Sequence, residues 1–165
     1  MFETTGIIND ELVKSLKKYL VPSKLKNLIK IMVIICVLLG LINIFISRVR
    51  VVIFFLVAGI FIAEYFYIIN KVYNTCMQRM KETVGKSETN YRVYFDEAGA
   101  IVNNLDTGAK SHMKYDIFVR FAETPNVYAI FTKSNQFIIL FKNCLDEGQV
   151  NEFKIFIKGK CKNFK

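Results

Sequence analysis

With 165 residues, of which 53% are hydrophobic, the chain can build one domain-sized core and carries more apolar side chains than an ordinary soluble domain. Its formal charge of +9 comes mostly from lysines spread over every polar segment, with no arginine-rich block, which argues against nucleic acid and for an anionic membrane surface as the partner. Cys36, Cys76, Cys144 and Cys161 show no CxxC spacing, so neither a disulfide framework nor a thiolate metal site is expected.

Taken in chain order, Phe2–Thr5 has the composition of a short strand. Asn9 or Asp10 can cap a helix with Leu12, Leu16, Tyr19 and Leu20 on one side and Lys14, Lys17 and Lys18 on the other, ending at Pro22-Ser23. The pattern fits an interfacial amphipathic helix and, equally, a helix packed on the protein's own soluble part. Residues 1–27 are set apart as this N-terminal segment.

Two apolar runs follow. Ile31–Ile46 has Asn43 as its only strongly polar residue, Val51–Ile69 has Glu64, and only Ser47-Arg48-Val49-Arg50 separates them. Each run is able to cross, or nearly cross, a hydrocarbon core, and so short a connection makes them an antiparallel transmembrane hairpin over residues 28–70. Lys14, Lys17, Lys18, Lys24, Lys26 and Lys30 precede the hairpin and Lys71, Arg79, Lys81 and Lys86 follow it, against Arg48 and Arg50 in the loop. That asymmetry places both termini in the cytoplasm, in a multi-pass protein of the cell membrane. A second span directly after the first, with no small-residue cleavage site between, reads as an anchor and not as a cleaved signal.

Glu64 is the one acid inside a span and needs either a partner or a task. A hairpin centred between Arg48 and Val49 puts Lys30 level with about position 68 and Glu64 about one turn deeper. A lysine stem spans much of that difference, so Lys30–Glu64 is the candidate intramembrane pair that fixes the hairpin register. The plainer alternative is a glutamate that snorkels to water beside Tyr65 and Tyr67. With a single acid and a single amide in the spans, an ion relay has little to run on.

Val72, Cys76, Met80 and Val84 prolong the helical spacing as far as Gly85, giving a helical stalk or linker at 71–90. From Tyr91 the period becomes two. Strands are expected at Tyr91–Phe95, Ala100–Leu105, Lys110–Tyr115, Ile117–Glu123, Val127–Thr132 and Phe137–Phe141, joined by turns at Asp96–Gly99, Asp106–Gly108, Pro125-Asn126 and Ser134-Asn135. A helix with Asp146-Glu147 at its start and Lys158, Lys160 and Lys162 near its end closes the chain. The expected fold class is thus an α+β membrane protein, with a helical hairpin followed by a cytosolic antiparallel sheet and a C-terminal helix over 91–165.

Catalytic constellations are missing from the pattern. Ser111 and His112 are neighbours in a strand and point to opposite faces, Asp96-Glu97 reads as turn acid, and the glycines have no phosphate-loop spacing. No catalytic residue, metal or cofactor is expected, and the protein is not expected to be an enzyme.

Two spans with a minimal loop lead into a tail containing Tyr115-Asp116-Ile117-Phe118-Val119-Arg120-Phe121-Ala122-Glu123-Thr124, then Val127–Phe131 and Phe137–Lys142. In this the chain resembles the YcxB-like membrane proteins of Gram-positive bacteria, most specifically between Tyr115 and Lys142. The resemblance implies a cytosolic domain like a pleckstrin-homology sheet, with a C-terminal helix on one open side. That family usually has a Pro-Lys pair after the last strand, where this chain has Phe141-Lys142. The resemblance implies no activity and transfers no functional residues.

On the terminal helix, Val150, Phe153, Ile157, Cys161 and Phe164 form an apolar stripe, and Lys154, Lys158, Lys162 and Lys165 a basic stripe one residue later. Lys154, Lys158 and Lys162 are the candidate lipid contacts; the alternative is a packed helix with a solvated border. The expected function is a membrane-anchored, non-enzymatic binding or regulatory module whose partners are the lipid bilayer and another membrane protein or a second copy. An immunity or envelope-stress protein and an accessory subunit of a transport complex are the alternatives.

Overall fold

The computed structural model describes residues 1–134, 136–161 and 164. Its elements are β1 (Phe2–Ile8), α1 (Asp10–Leu20), α2 (Ser23–Ile42), α3 (Arg48–Val84), β2 (Thr89–Phe95), β3 (Gly99–Asn104), β4 (Lys110–Lys114), β5 (Phe118–Glu123), β6 (Val127–Thr132), β7 (Phe137–Phe141) and α4 (Glu147–Lys160). They form two compact units, Met1–Leu16 with Cys76–Lys165, and Lys17–Thr75.

The first unit holds two antiparallel sheets, one in the order β1-β2-β3-β4 and one in the order β5-β6-β7. The strands from β2 onward fall close to the expected positions, but the expected single meander is divided: a 3₁₀ turn at Tyr115–Ile117 separates β4 from β5, which belong to different sheets, and Asn135, in an expected turn, lies outside the described residues. The larger difference is β1. It pairs with β2 over its whole length, from Phe2 opposite Phe95 to Ile8 opposite Thr89, and buries Phe2, Thr4 and Ile8 on alternate positions. Gly6 hides this alternation in the sequence, and a side chain there would collide with the Phe141 ring, 2.6 Å from a Cβ position. The segment 1–27 therefore does not stand apart from 91–165: the first strand of the sheet is at the start of the chain.

The first half of α1 also belongs to this unit. Asn9 caps it, its Oδ1 accepting from the Leu12 N–H at 2.9 Å. Val13 and Leu16 are fully buried, so of the two readings of this helix the packed one holds there.

β6 is buried at every position, as a central strand covered on both faces must be. α4 begins with a capping box between Asp146 and Gln149. Its Phe153 is completely buried, with ring centroids 5.2 Å from Phe2, 4.9 Å from Phe95 and 5.8 Å from Tyr128. One side chain thus touches both sheets. Ile157 and Cys161 continue the buried stripe.

In the second unit α2 and α3 are antiparallel neighbours, but the turn between them lies earlier than its polarity suggests. The Asn43 side chain donates to the Leu39 carbonyl at 2.9 Å, and the Ile46 and Ser47 N–H groups both reach the Asn43 carbonyl, at 3.0 and 2.9 Å. This 3₁₀ turn ends the first helix, and Arg48–Arg50 already form the first turn of the next. Facing positions shift to match: Gly40 meets Phe54 and Phe55, and Lys30 shares a groove with Tyr65, not with position 68. The depth expected for Glu64 is corrected accordingly, since it lies level with Lys30.

Val51, Phe54, Val57, Ala58, Phe61, Tyr65 and Ile68 recur on the more covered side of α3, whereas Ile53, Leu56, Ile60 and Phe66 point outward. Ser23–Phe45 and Arg48–Val84 are both long and apolar enough to cross a membrane. The second, with 37 residues, is about 55 Å long and outlasts a hydrocarbon core. It stops, as the spacing predicts, at Gly85, which takes φ +74° while its N–H reaches the Lys81 carbonyl at 2.8 Å.

Candidate functional site

Among the described residues the densest charged cluster in the sheet unit joins three elements. β5 ends at Glu123, and the turn to β6 is closed by Thr124, whose N–H and hydroxyl both meet the Val127 carbonyl, at 3.0 and 3.1 Å. Lys142, just past β7, extends its Nζ to 2.9 Å from Glu123 Oε1 and 2.8 Å from the Thr124 carbonyl, and lies 4.3 Å from the Tyr128 ring centroid. From α4, Lys154 Nζ reaches Glu123 Oε2 at 2.8 Å. A single carboxylate thus receives two ammonium groups, and those hydrogen bonds pull the Glu123 pKa down to about 2. The same carboxylate raises the pKa of Lys154.

Lys142 gives two of its three donors to Glu123 and Thr124 and rests against the Tyr128 ring, which ties β5, β6 and β7 together at one end. Lys154 has donors to spare. Beside the cluster lies an open cleft of about 450 Å³ lined by Leu12, Pro125, Asn126, Val127, Phe141, Lys142 and Asn143. An apolar floor with backbone turns and one cation suits contact with another molecule. It offers no nucleophile next to a base.

The other residues weighed in the sequence, both the expected sites and the Ser111–His112 pair set aside there, are scattered. Lys158 is exposed, and Lys162 and Lys165 lie outside the described residues, as does Asn163. Lys160 pairs with Glu97. Lys30 and Glu64 are both exposed, at one depth on neighbouring helices, with no ion pair between them. Ser111 and His112 lie on β4, an exposed edge strand of the four-stranded sheet. Among the described residues no group of three or more His, Cys, Asp or Glu side chains is placed to hold a metal ion. Asp96 is turn acid, as expected: its Oδ1 accepts from the Ala98 and Gly99 N–H groups at 2.7 and 2.9 Å, which lowers its pKa.

Sequence reasoning did not bring Glu123 and Lys142 together with Lys154. The three residues are far apart in the chain and meet only through sheet pairing and helix packing. The one available signal was the lysine directly after the last strand.

The sequence model of one family, described as YcxB-like protein, matches residues 95–157, from the end of β2 into the last turns of α4. No curated protein and no solved structure gives a match. The chain therefore carries a YcxB-like domain, and the match leaves out β1 and the apolar hairpin.

Proposed function

We propose that this protein is a membrane-anchored, non-enzymatic binding or regulatory module, in which the hairpin holds a pleckstrin-homology-like domain at the cytoplasmic face for contact with a membrane protein or lipid headgroups. The observation that carries this reading is the outward side of the hairpin. Leu38, Ile42, Ile53, Leu56, Ile60 and Phe66 are exposed apolar side chains that no described residue covers, on two helices long enough to span. For the pleckstrin-homology-like description, the support is a four-stranded and a three-stranded antiparallel sheet with one terminal helix touching both. Binding is favoured over catalysis because the charged cluster ties its own groups together and leaves an open cleft beside them.

The membrane reading is tested by washing native membranes at alkaline pH: the protein stays in the pellet, and release into the supernatant overturns it. Lipid contact by the basic stripe is tested by co-flotation with vesicles, using a chain in which Leu16 is joined to Cys76 by a short linker. Binding to anionic vesicles should fall as salt rises, and fall again when Lys154, Lys158 and Lys162 become glutamine. Unchanged binding moves the contact surface to the cleft beside Lys142 and to a protein partner.

A further inference from the structure

The hairpin has a groove of about 290 Å³ whose walls are almost wholly apolar, built from Ile29 and Val33 of α2 and Ile62 and Tyr65 of α3, with Lys26 and Lys30 on its rim. The two lysines are four residues apart on one helix face and both are exposed. Among the described residues no carboxylate is paired with either ammonium. Glu64, although next to Tyr65, does not line the groove.

Resting on the membrane reading above, we infer that this groove holds one anionic phospholipid, with its phosphate between Lys26 and Lys30 and an acyl chain along Ile29, Val33 and Ile62. Order along the chain supports this. Toward the turn α2 carries no charge from Ile31 to Ile42, so in a bilayer Lys26 and Lys30 stand at headgroup level and the groove leads from them into hydrocarbon. A cationic rim on an apolar slot between two spans is complementary to a lipid that is anionic at one end and apolar at the other. A transmembrane helix is a poorer occupant, because close helix contact needs small side chains and these walls are Ile, Val and Tyr.

The test uses the full chain in mild detergent, with lipid adducts counted by native mass spectrometry. Phosphatidylglycerol should bind about ten- to thirtyfold more tightly than phosphatidylcholine, the range expected for two interfacial lysines. In Lys26→Gln/Lys30→Gln that preference should fall to within about twofold, while Lys24→Gln/Lys71→Gln, with the same net charge, keeps it. Ile62→Trp, which fills the slot and leaves the lysines, should weaken phosphatidylglycerol at least about fivefold. Glycerol phosphate at equal concentration should not compete; if it does, the site is a phosphate site and the lipid assignment is wrong. Equal loss in the two double variants, or no preference in the original chain, also overturns it. A chain washed from membranes by alkali refutes the membrane reading itself, whereas a chain that stays but shows no lipid preference refutes only this site.

Discussion

The hairpin and the sheet unit use apolar residues in opposite ways. In the sheet unit, Phe95, Phe118, Tyr128, Phe131 and Phe153 are almost fully buried, whereas in the hairpin Leu56, Ile60 and Phe66 are each more than half exposed. An aromatic core held by non-local strand pairs contrasts with a helix pair that satisfies its backbone alone and leaves its apolar sides outward. The first arrangement hides its apolar side chains from solvent. The second leaves them open, and on that the proposed membrane anchoring rests.

The contrast breaks most readily at the residue joining the two sheets. Phe153→Ala should cost about 3–5 kcal/mol in urea unfolding of the hairpin-deleted chain, because it empties a site lined by both sheets and the helix. Ile155→Ala, at a position 74% exposed on the same helix, should change stability by no more than about 0.5 kcal/mol. Equal effects would mean that α4 is not seated as described.

The converse substitution belongs in the hairpin. Leu56→Lys, at an outward position of α3, should cost about 2.5–3.5 kcal/mol of membrane insertion and be read as a fall in the alkali-resistant fraction. The same change on a water-facing helix would be nearly silent, so full tolerance would argue that this side of α3 meets water.

These regions also differed in how far the sequence revealed them. The two long apolar helices were legible because a helix declares itself in consecutive residues, and the stop at Gly85 followed from glycine's freedom at positive φ. The turn was displaced because polarity marked Arg48 and Arg50, while the hydrogen bonds of Asn43 decide where the helix ends. β2 to β7 were legible from alternation and turn residues. Of β1 the sequence showed strand character at Phe2–Thr5 but neither its reach to Ile8 nor its partner, since Thr89–Phe95 lies beyond the whole hairpin and Gly6 interrupts the pattern. The Glu123 cluster was invisible for the same reason, being assembled from β5, the end of β7 and α4.

That cluster gives the sheet unit a pH signature. Glu123 has a folded pKa near 2 against an ordinary 4.5, so its stabilisation is complete above about pH 4.5 and is lost as pH falls toward 2. Glu123→Gln should lower stability at neutral pH by about 0.5–1 kcal/mol, a solvent-screened figure, and flatten the loss over that acid range. An unchanged acid limb would place the titrating group elsewhere.

The smallest expected effect concerns Lys30 and Glu64, which we propose interact across the hairpin when no anionic headgroup competes. A double-mutant cycle with Lys30→Met and Glu64→Gln should give a coupling of about 0.6 kcal/mol in zwitterionic bilayers and less in anionic ones. Strict additivity in both would leave Glu64 as a side chain that only reaches for water.

The central claim, a membrane hairpin carrying a cytoplasmic sheet domain, is tested most directly by thiol labelling of intact cells with an impermeant reagent. Cys144 is the reporter, because it is exposed, whereas Cys161 is buried and burial pushes its pKa up to about 12. Cys144 should be labelled only after lysis, and a thiol introduced by Ser47→Cys in the hairpin turn should be labelled in intact cells. Labelling of Cys144 in intact cells with protection at position 47 would contradict the account.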